Sequence, residues 1–123
     1  MSVKVLVVDD SSMVRLQVGR ALGGAGFTII EATDGADALE KLGAHPDTKL
    51  IVCDVNMPRM SGLEFLESLS ANPSAPPVVM LTTEGQPDLI HRAKTLGAKG
   101  WIVKPFKPDL LVAAAQRLTA SAA

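Results

Sequence analysis

Five runs of five or six residues, rich in β-branched side chains, restrict the fold of this chain more than any other feature. They are 3–8 (VKVLVV), 27–31 (FTIIE), 49–53 (KLIVC), 77–82 (PVVMLT) and 100–104 (GWIVK). Their length and composition predict strands. Three are apolar almost throughout, which requires burial on both faces, the mark of a parallel sheet covered by helices. Segments of helical period lie between them. Val14, Val18, Ala21, Leu22 and Ala25 share one helix face, and Gly23, Gly24 and Gly26 form its stop. A second helix is expected over 35–44. The third opens at Ser61, with Glu64 three residues on as a capping box and Leu63, Leu66 and Leu69 as its apolar face. The fourth has Pro87 in its first turn, Leu89, Ile90, Ala93 and Leu96 inward and Gly97 as stop; the fifth runs from Pro108 through Leu111, Ala114, Ala115 and Leu118. The order is (βα)₅, an α/β doubly wound parallel sheet with helices on both sides. A chain of 123 residues with no linker, repeat or low-complexity tract fits one domain, 1–123, with no second domain after the fifth helix.

Composition narrows the function classes. A net charge of −1 gives no global attraction to nucleic acid or anionic membrane. The single cysteine, Cys53, excludes an internal disulfide and a Cys-based zinc cluster, and the expected reading is a small buried core residue. No apolar run approaches the ~20 residues that span a bilayer. Acids stand where a signal peptide would keep its apolar stretch ("MSVKVLVVDD"), so a cytoplasmic protein is expected.

Parallel strands bring their carboxyl ends to one edge, where open α/β sheets bind ligands. Strand 1 ends at Asp9 and Asp10, strand 3 at Asp54, strand 4 at Thr82 and Thr83, strand 5 at Lys104. Two like charges 4 Å apart repel by about 4 kcal/mol at an effective dielectric near 20, so three carboxylates need raised pKa values or a cation. Helix capping accounts for one of the two adjacent acids, not both. Carboxylates with a carbonyl and waters suit Mg²⁺, and Mn²⁺ also fits. A bound cation leaves room for an anion such as a phosphoryl group, with Thr82 as hydrogen-bond donor and Lys104 as point charge.

The set "VVDDSSMVR", "VCDVNMPRMSGLEFL", "VVMLTTEG" and "GWIVKPF" resembles the receiver domain of two-component response regulators, of the stand-alone CheY type, over the whole chain. The resemblance implies the flavodoxin-like strand order 2-1-3-4-5. It implies Asp54 as phosphoacceptor from a histidine kinase phosphohistidine, and Mg²⁺ held by Asp10 and Asp54 directly, by Asp9 through a water and by the Asn56 backbone carbonyl. It further implies Lys104 on the phosphoryl group, a cis bond before Pro105, and Thr82 as switch hydroxyl. Trp101 stands at the switch-aromatic position, where Tyr or Phe is usual. Thr83 stands where a smaller residue usually gives access to the phosphoryl group, and Asn56 and Glu84 at positions that tune hydrolysis. The partners implied are a CheA-like kinase and a protein target, a flagellar motor switch or another adaptor, met through helix 4, strand 5 and helix 5. A monomer without turnover of external metabolites is expected, its catalysis confined to its own phosphotransfer and dephosphorylation. Between Leu89 and Pro108 there is no acid, while Arg92, Lys94, Lys99, Lys104 and Lys107 are basic, which favours an acidic partner. Competing readings are a receiver acting only as phosphate sink or adaptor, a haloacid-dehalogenase-type phosphatase and a flavodoxin-like flavin binder. The phosphatase expects D-x-D after strand 1 rather than Asp9-Asp10-Ser11; the flavin binder expects a phosphate loop free of acids.

Overall fold

All five apolar runs are strands of one sheet. The computed structural model describes residues 3–55, 57, 60–72, 74–82 and 87–120. In chain order these form β1 (Lys4–Val8), α1 (Ser12–Gly24), β2 (Thr28–Ala32), α2 (Gly35–Ala44), β3 (Thr48–Asp54), α3 (Gly62–Ser70), β4 (Val78–Thr82), α4 (Pro87–Thr95), β5 (Gly100–Val103) and α5 (Pro108–Thr119). The strands pair in parallel in the order β2-β1-β3-β4-β5. This is the order that the resemblance implies.

The pattern of burial explains which runs read as uniformly apolar. β1, β3 and β4 lie inside the sheet, and nearly every residue in them is buried. β2 and β5 are its edges and are only partly covered. Because side chains alternate across a strand, β1 feeds two cores. Val5 and Val7 pack with Leu50, Val52, Val79 and Leu81 against Val18 and Leu22 of α1 and Leu111 and Ala115 of α5. Leu6 and Val8 pack with Ile51, Cys53 and Met80 against Ala38 of α2, Leu66 and Leu69 of α3 and Ala93 of α4. Phe65 of α3, fully buried in that second core, is absent from the apolar face that the spacing singled out. Burial of such a side chain contributes roughly 1.5–3 kcal/mol.

The helix ends follow local chemistry. The capping box at Ser61 is formed, with Glu64 N–H donating to Ser61 Oγ at 3.2 Å and Ser61 N–H to Glu64 Oε1 at 3.1 Å. Gly23 and Gly24 remain within α1, and Ala25 is its exposed C-cap rather than part of the buried face. Termination falls to Gly26 (φ +98°) and, after α4, to Gly97 (φ +101°). Past each glycine an N–H reaches back five residues, Phe27 to the Leu22 carbonyl and Ala98 to the Ala93 carbonyl. Only a left-handed residue permits that closure without strain.

Candidate functional site

Sheet register assembles the site. Val8 of β1 lies opposite Cys53 of β3, so Asp9 and Asp54 leave the sheet side by side. Asp54 is in register with Leu81 of β4, and Thr82 with Val103 of β5, which adds Thr82 and Lys104 to the same edge. From this edge β1 is followed outward by β2 on one side and by β3, β4 and β5 on the other, the crevice where such sheets bind ligands.

Asp9, Asp10 and Asp54 each present a carboxylate oxygen, and the three oxygens lie within 4.8 Å of one another. Asp9 and Asp54 are buried, while Asp10 is exposed. Lys104 Nζ reaches between the two buried acids, 2.9 Å from Asp9 Oδ2 and 3.1 Å from Asp54 Oδ1. Its backbone N–H donates to the Thr82 carbonyl at 2.6 Å, which joins the end of β5 to β4. The Lys104–Pro105 bond is cis.

The electrostatics follow from burial. Burial pushes the Asp54 carboxyl above its ordinary range and the Asp9 carboxylate adds to the shift; Lys104 pulls the other way without cancelling it. Burial also works against the Lys104 ammonium, but hydrogen bonds to Asp9 and Asp54 and their charges outweigh it and hold its pKa above that of an ordinary lysine. Cys53, fully buried, is pushed well up by burial and then by Asp54 and Asp9, so it packs as a neutral thiol, donating to the Asp54 carbonyl at 3.3 Å. Three hard oxygen donors with no soft ligand exposed among them suit Mg²⁺ or Mn²⁺ rather than zinc. Charges at 4.8 Å still repel by about 3.5 kcal/mol at an effective dielectric of 20, and one lysine does not neutralise three acids.

Three supporting roles were not legible in the sequence. The N-cap of α1 is Ser11, whose Oγ accepts from Val14 N–H at 3.3 Å, so neither Asp9 nor Asp10 caps that helix. Arg15 donates from Nη1 to the Asp9 carbonyl at 2.6 Å and pairs through Nε with Glu31 at 2.9 Å. Glu31, on the edge strand, is thereby tied to the loop after β1. Gly62 donates its N–H to the Val55 carbonyl, and a Cβ at that position would strike the Asp54 carbonyl oxygen. Only glycine lets α3 start this close to the Asp54 backbone.

Thr82 is fully buried at the end of β4. Trp101, opposite Met80 in β5, packs against the core shared with α2, α3 and α4, and its buried indole N–H has no hydrogen-bond partner among the described residues. Asn56, Thr83 and Glu84 lie outside the described residues. The basic run is less free than its sequence suggests. Arg92 meets Glu67 of α3 at 3.4 Å and Lys104 points into the acidic site, which leaves Lys94, Lys99 and Lys107 outward. Among the described residues no helix is long and apolar enough to cross a membrane.

A profile of the response regulator receiver domain matches residues 5–116. The chain belongs to the response regulator receiver family. It is a module of two-component signalling under the control of phosphorylation, and the phosphatase and flavin-binding readings give way to this assignment. Among similar proteins, chemotaxis protein CheY1 of Helicobacter pylori J99 is 40% identical over 111 residues, covering 88% of this chain and 90% of that one. The structure of Vibrio cholerae CheY4 superposes with a TM-score of 0.88 at 40% identity, covering 96% of this chain and 99% of the other. A CheX–CheY–BeF₃–Mg²⁺ complex from Borrelia burgdorferi superposes at 0.85 with 30% identity, covering 98% of this chain and 90% of that one.

Proposed function

We propose that this receiver accepts a phosphoryl group on Asp54 from a histidine kinase phosphohistidine and serves a chemotaxis-type pathway. The observation that carries the reading is the convergence of Asp9, Asp10 and Asp54 within 4.8 Å at one sheet edge, with Lys104 bridging two of them. The relatives named CheY support the pathway, and the Borrelia complex, which holds BeF₃ and Mg²⁺, supports the chemistry.

An Asp54 oxygen attacks phosphorus while the P–N bond of the donor breaks; that electron pair stays on the imidazole nitrogen, which takes up a proton. The residues suited to Mg²⁺ are Asp10 and Asp54 through carboxylate oxygens, the Asn56 backbone carbonyl, and Asp9 through a water. When bound, the ion supplies charge neutralisation and a fixed template for the transferring oxygens. Asp54, once converted to an acyl phosphate, carries its negative charge on the phosphoryl oxygens rather than on the carboxylate, so Lys104 loses one of its two partners and is free to follow those oxygens. Thr82, at the end of the adjacent strand, offers a hydroxyl to the same group. Hydrolysis by water at phosphorus then returns the carboxylate and inorganic phosphate, so the protein resets itself without acting on an external metabolite. Thr83 and Glu84 tune that step, and Trp101 reports the state of Thr82 to the α4–β5–α5 face. There Val103 and Leu110 are exposed, and Lys94, Lys99 and Lys107 add positive charge suited to an acidic protein partner.

The test is incubation with Mg²⁺ and acetyl phosphate followed by intact-mass measurement. Wild type is expected to gain one phosphoryl group, and Asp54→Ala or removal of Mg²⁺ by chelation to abolish the gain. Beryllofluoride should change Trp101 fluorescence in the wild type alone. An unmodified wild-type mass, with fluorescence unaltered, would overturn the reading.

A further inference from the structure

We propose that Arg15 is the positioning residue that aims Asp10 at the cation site. This rests on the Mg²⁺ reading above and deepens it. Every polar group of Asp9 is engaged. Its N–H donates to the Ala32 carbonyl at 3.1 Å, Oδ1 accepts from Ser11 N–H at 2.9 Å, Oδ2 takes Lys104 at 2.9 Å, and the carbonyl takes Arg15 Nη1 at 2.6 Å. Asp10 is the opposite case: its carboxylate is exposed, and no described residue donates to it or pairs with it. Among the described residues, then, only the backbone sets the direction of Asp10. The peptide joining Asp9 to Asp10 is planar, so the hold on the Asp9 carbonyl oxygen fixes the plane from which Asp10 departs.

Arg15 is itself anchored. Its Nε meets Glu31 Oε1 at 2.9 Å; the Arg15 side chain is 15% exposed and the Glu31 side chain 56%, so the Arg15 end is sheltered while solvent screens the carboxylate end. Glu31 lies on β2 in register with Val7 of β1, which makes the edge strand the fixed end of the device. A planar guanidinium donates in two directions at once, toward the carboxylate and toward the carbonyl; an ammonium lacks that fork.

Charge and positioning predict opposite signs. Loss of a positive charge beside an acidic site by itself tightens cation binding. Loss of a group that orients a ligand weakens metal affinity, commonly by about 10-fold or more. The experiment is calorimetric titration of Mg²⁺ into wild type, Arg15→Gln, Arg15→Lys and Glu31→Gln at fixed pH. Arg15→Gln is expected to bind about 10-fold more weakly, and Arg15→Lys to leave most of that loss unrepaired. Arg15→Gln binding as tightly as wild type or tighter, or full recovery in Arg15→Lys, overturns the proposal while the metal reading stands. A wild type that does not bind Mg²⁺ removes both. Circular dichroism checks folding. Should Arg15→Gln not fold, Glu31→Gln decides: a loss that persists at about 0.5 M salt, where long-range charge effects are screened, supports positioning, and one that vanishes there overturns it.

Discussion

At Asp54, burial and the Asp9 carboxylate both favour the protonated acid, and Lys104 at 3.1 Å opposes them without prevailing. The folded state therefore binds this proton more readily than the unfolded chain, and stability falls as pH rises through the raised Asp54 pKa. In metal-free buffer at neutral pH, Asp54→Asn is expected to raise the melting temperature, by on the order of 1 kcal/mol or several degrees. The gain should shrink as pH falls toward the ordinary aspartate range, where wild type is protonated too; a melting series against pH checks it. Gly62 gives a steric counterpart. Gly62→Ala drives a methyl group into the Asp54 carbonyl and is expected to destabilise by about 3 kcal/mol in urea denaturation. Gly23→Ala, with open space around it in α1, is expected to be neutral or stabilising by up to about 1 kcal/mol. The acids and Lys104 were legible because strand ends in a parallel sheet share an edge whatever the side chains do. Gly62, Arg15 and Ser11 were not, because each acts on backbone carbonyls or N–H groups that only the folded chain brings near.

Among the elements, α3 shows how far local spacing reaches. Ser61 and Glu64 three residues apart announced its start, and both hydrogen bonds of the box are made. Ser61→Ala is expected to destabilise by about 1 kcal/mol, measured by chemical denaturation, with Glu64→Ala losing a similar part of the same interaction. Because Gly62 at the start of α3 is hydrogen-bonded to Val55 and lies against the Asp54 carbonyl, fraying its first turn should also loosen Asp54. The inner strands declared themselves by unbroken apolar runs, whereas the edges did not: β2 holds Thr28 and Glu31 outward, and β5 leaves Val103 exposed. Edge strands are covered on part of their surface only, Ile29, Ile30, Trp101 and Ile102 packing on the cores while Thr28, Glu31 and Val103 face outward, so their sequence is a weaker guide to burial. Phe65 escaped for a different reason: the Leu63–Leu66–Leu69 spacing is satisfied without it, and only the packed core shows it fully buried in the cluster that also holds Cys53 and Met80.

For the molecule as a whole, three carboxylates gathered at one edge repel one another; on the proposed reading a cation relieves that strain, which links ligand binding to global stability. Mg²⁺ is expected to raise the melting temperature, by about 1.4 kcal/mol at ten times its Kd, or roughly 3–6 °C. Asp10→Asn should blunt that rise and, by removing one of the three repelling carboxylates, raise the melting temperature modestly in chelator; scanning fluorimetry in both conditions measures it. The fold class and strand order were legible from the runs and the motif set, since a (βα)₅ pattern leaves few topologies. Lys104 adds a temporal consequence. It meets Asp9 across 95 positions of sequence and Asp54 across 50. During synthesis the three acids emerge well before the ammonium that holds two of them together. A nascent chain therefore carries these acidic groups without the ammonium that joins two of them, and the arrangement on which the proposed phosphoryl transfer rests is complete only after the last strand has joined the sheet.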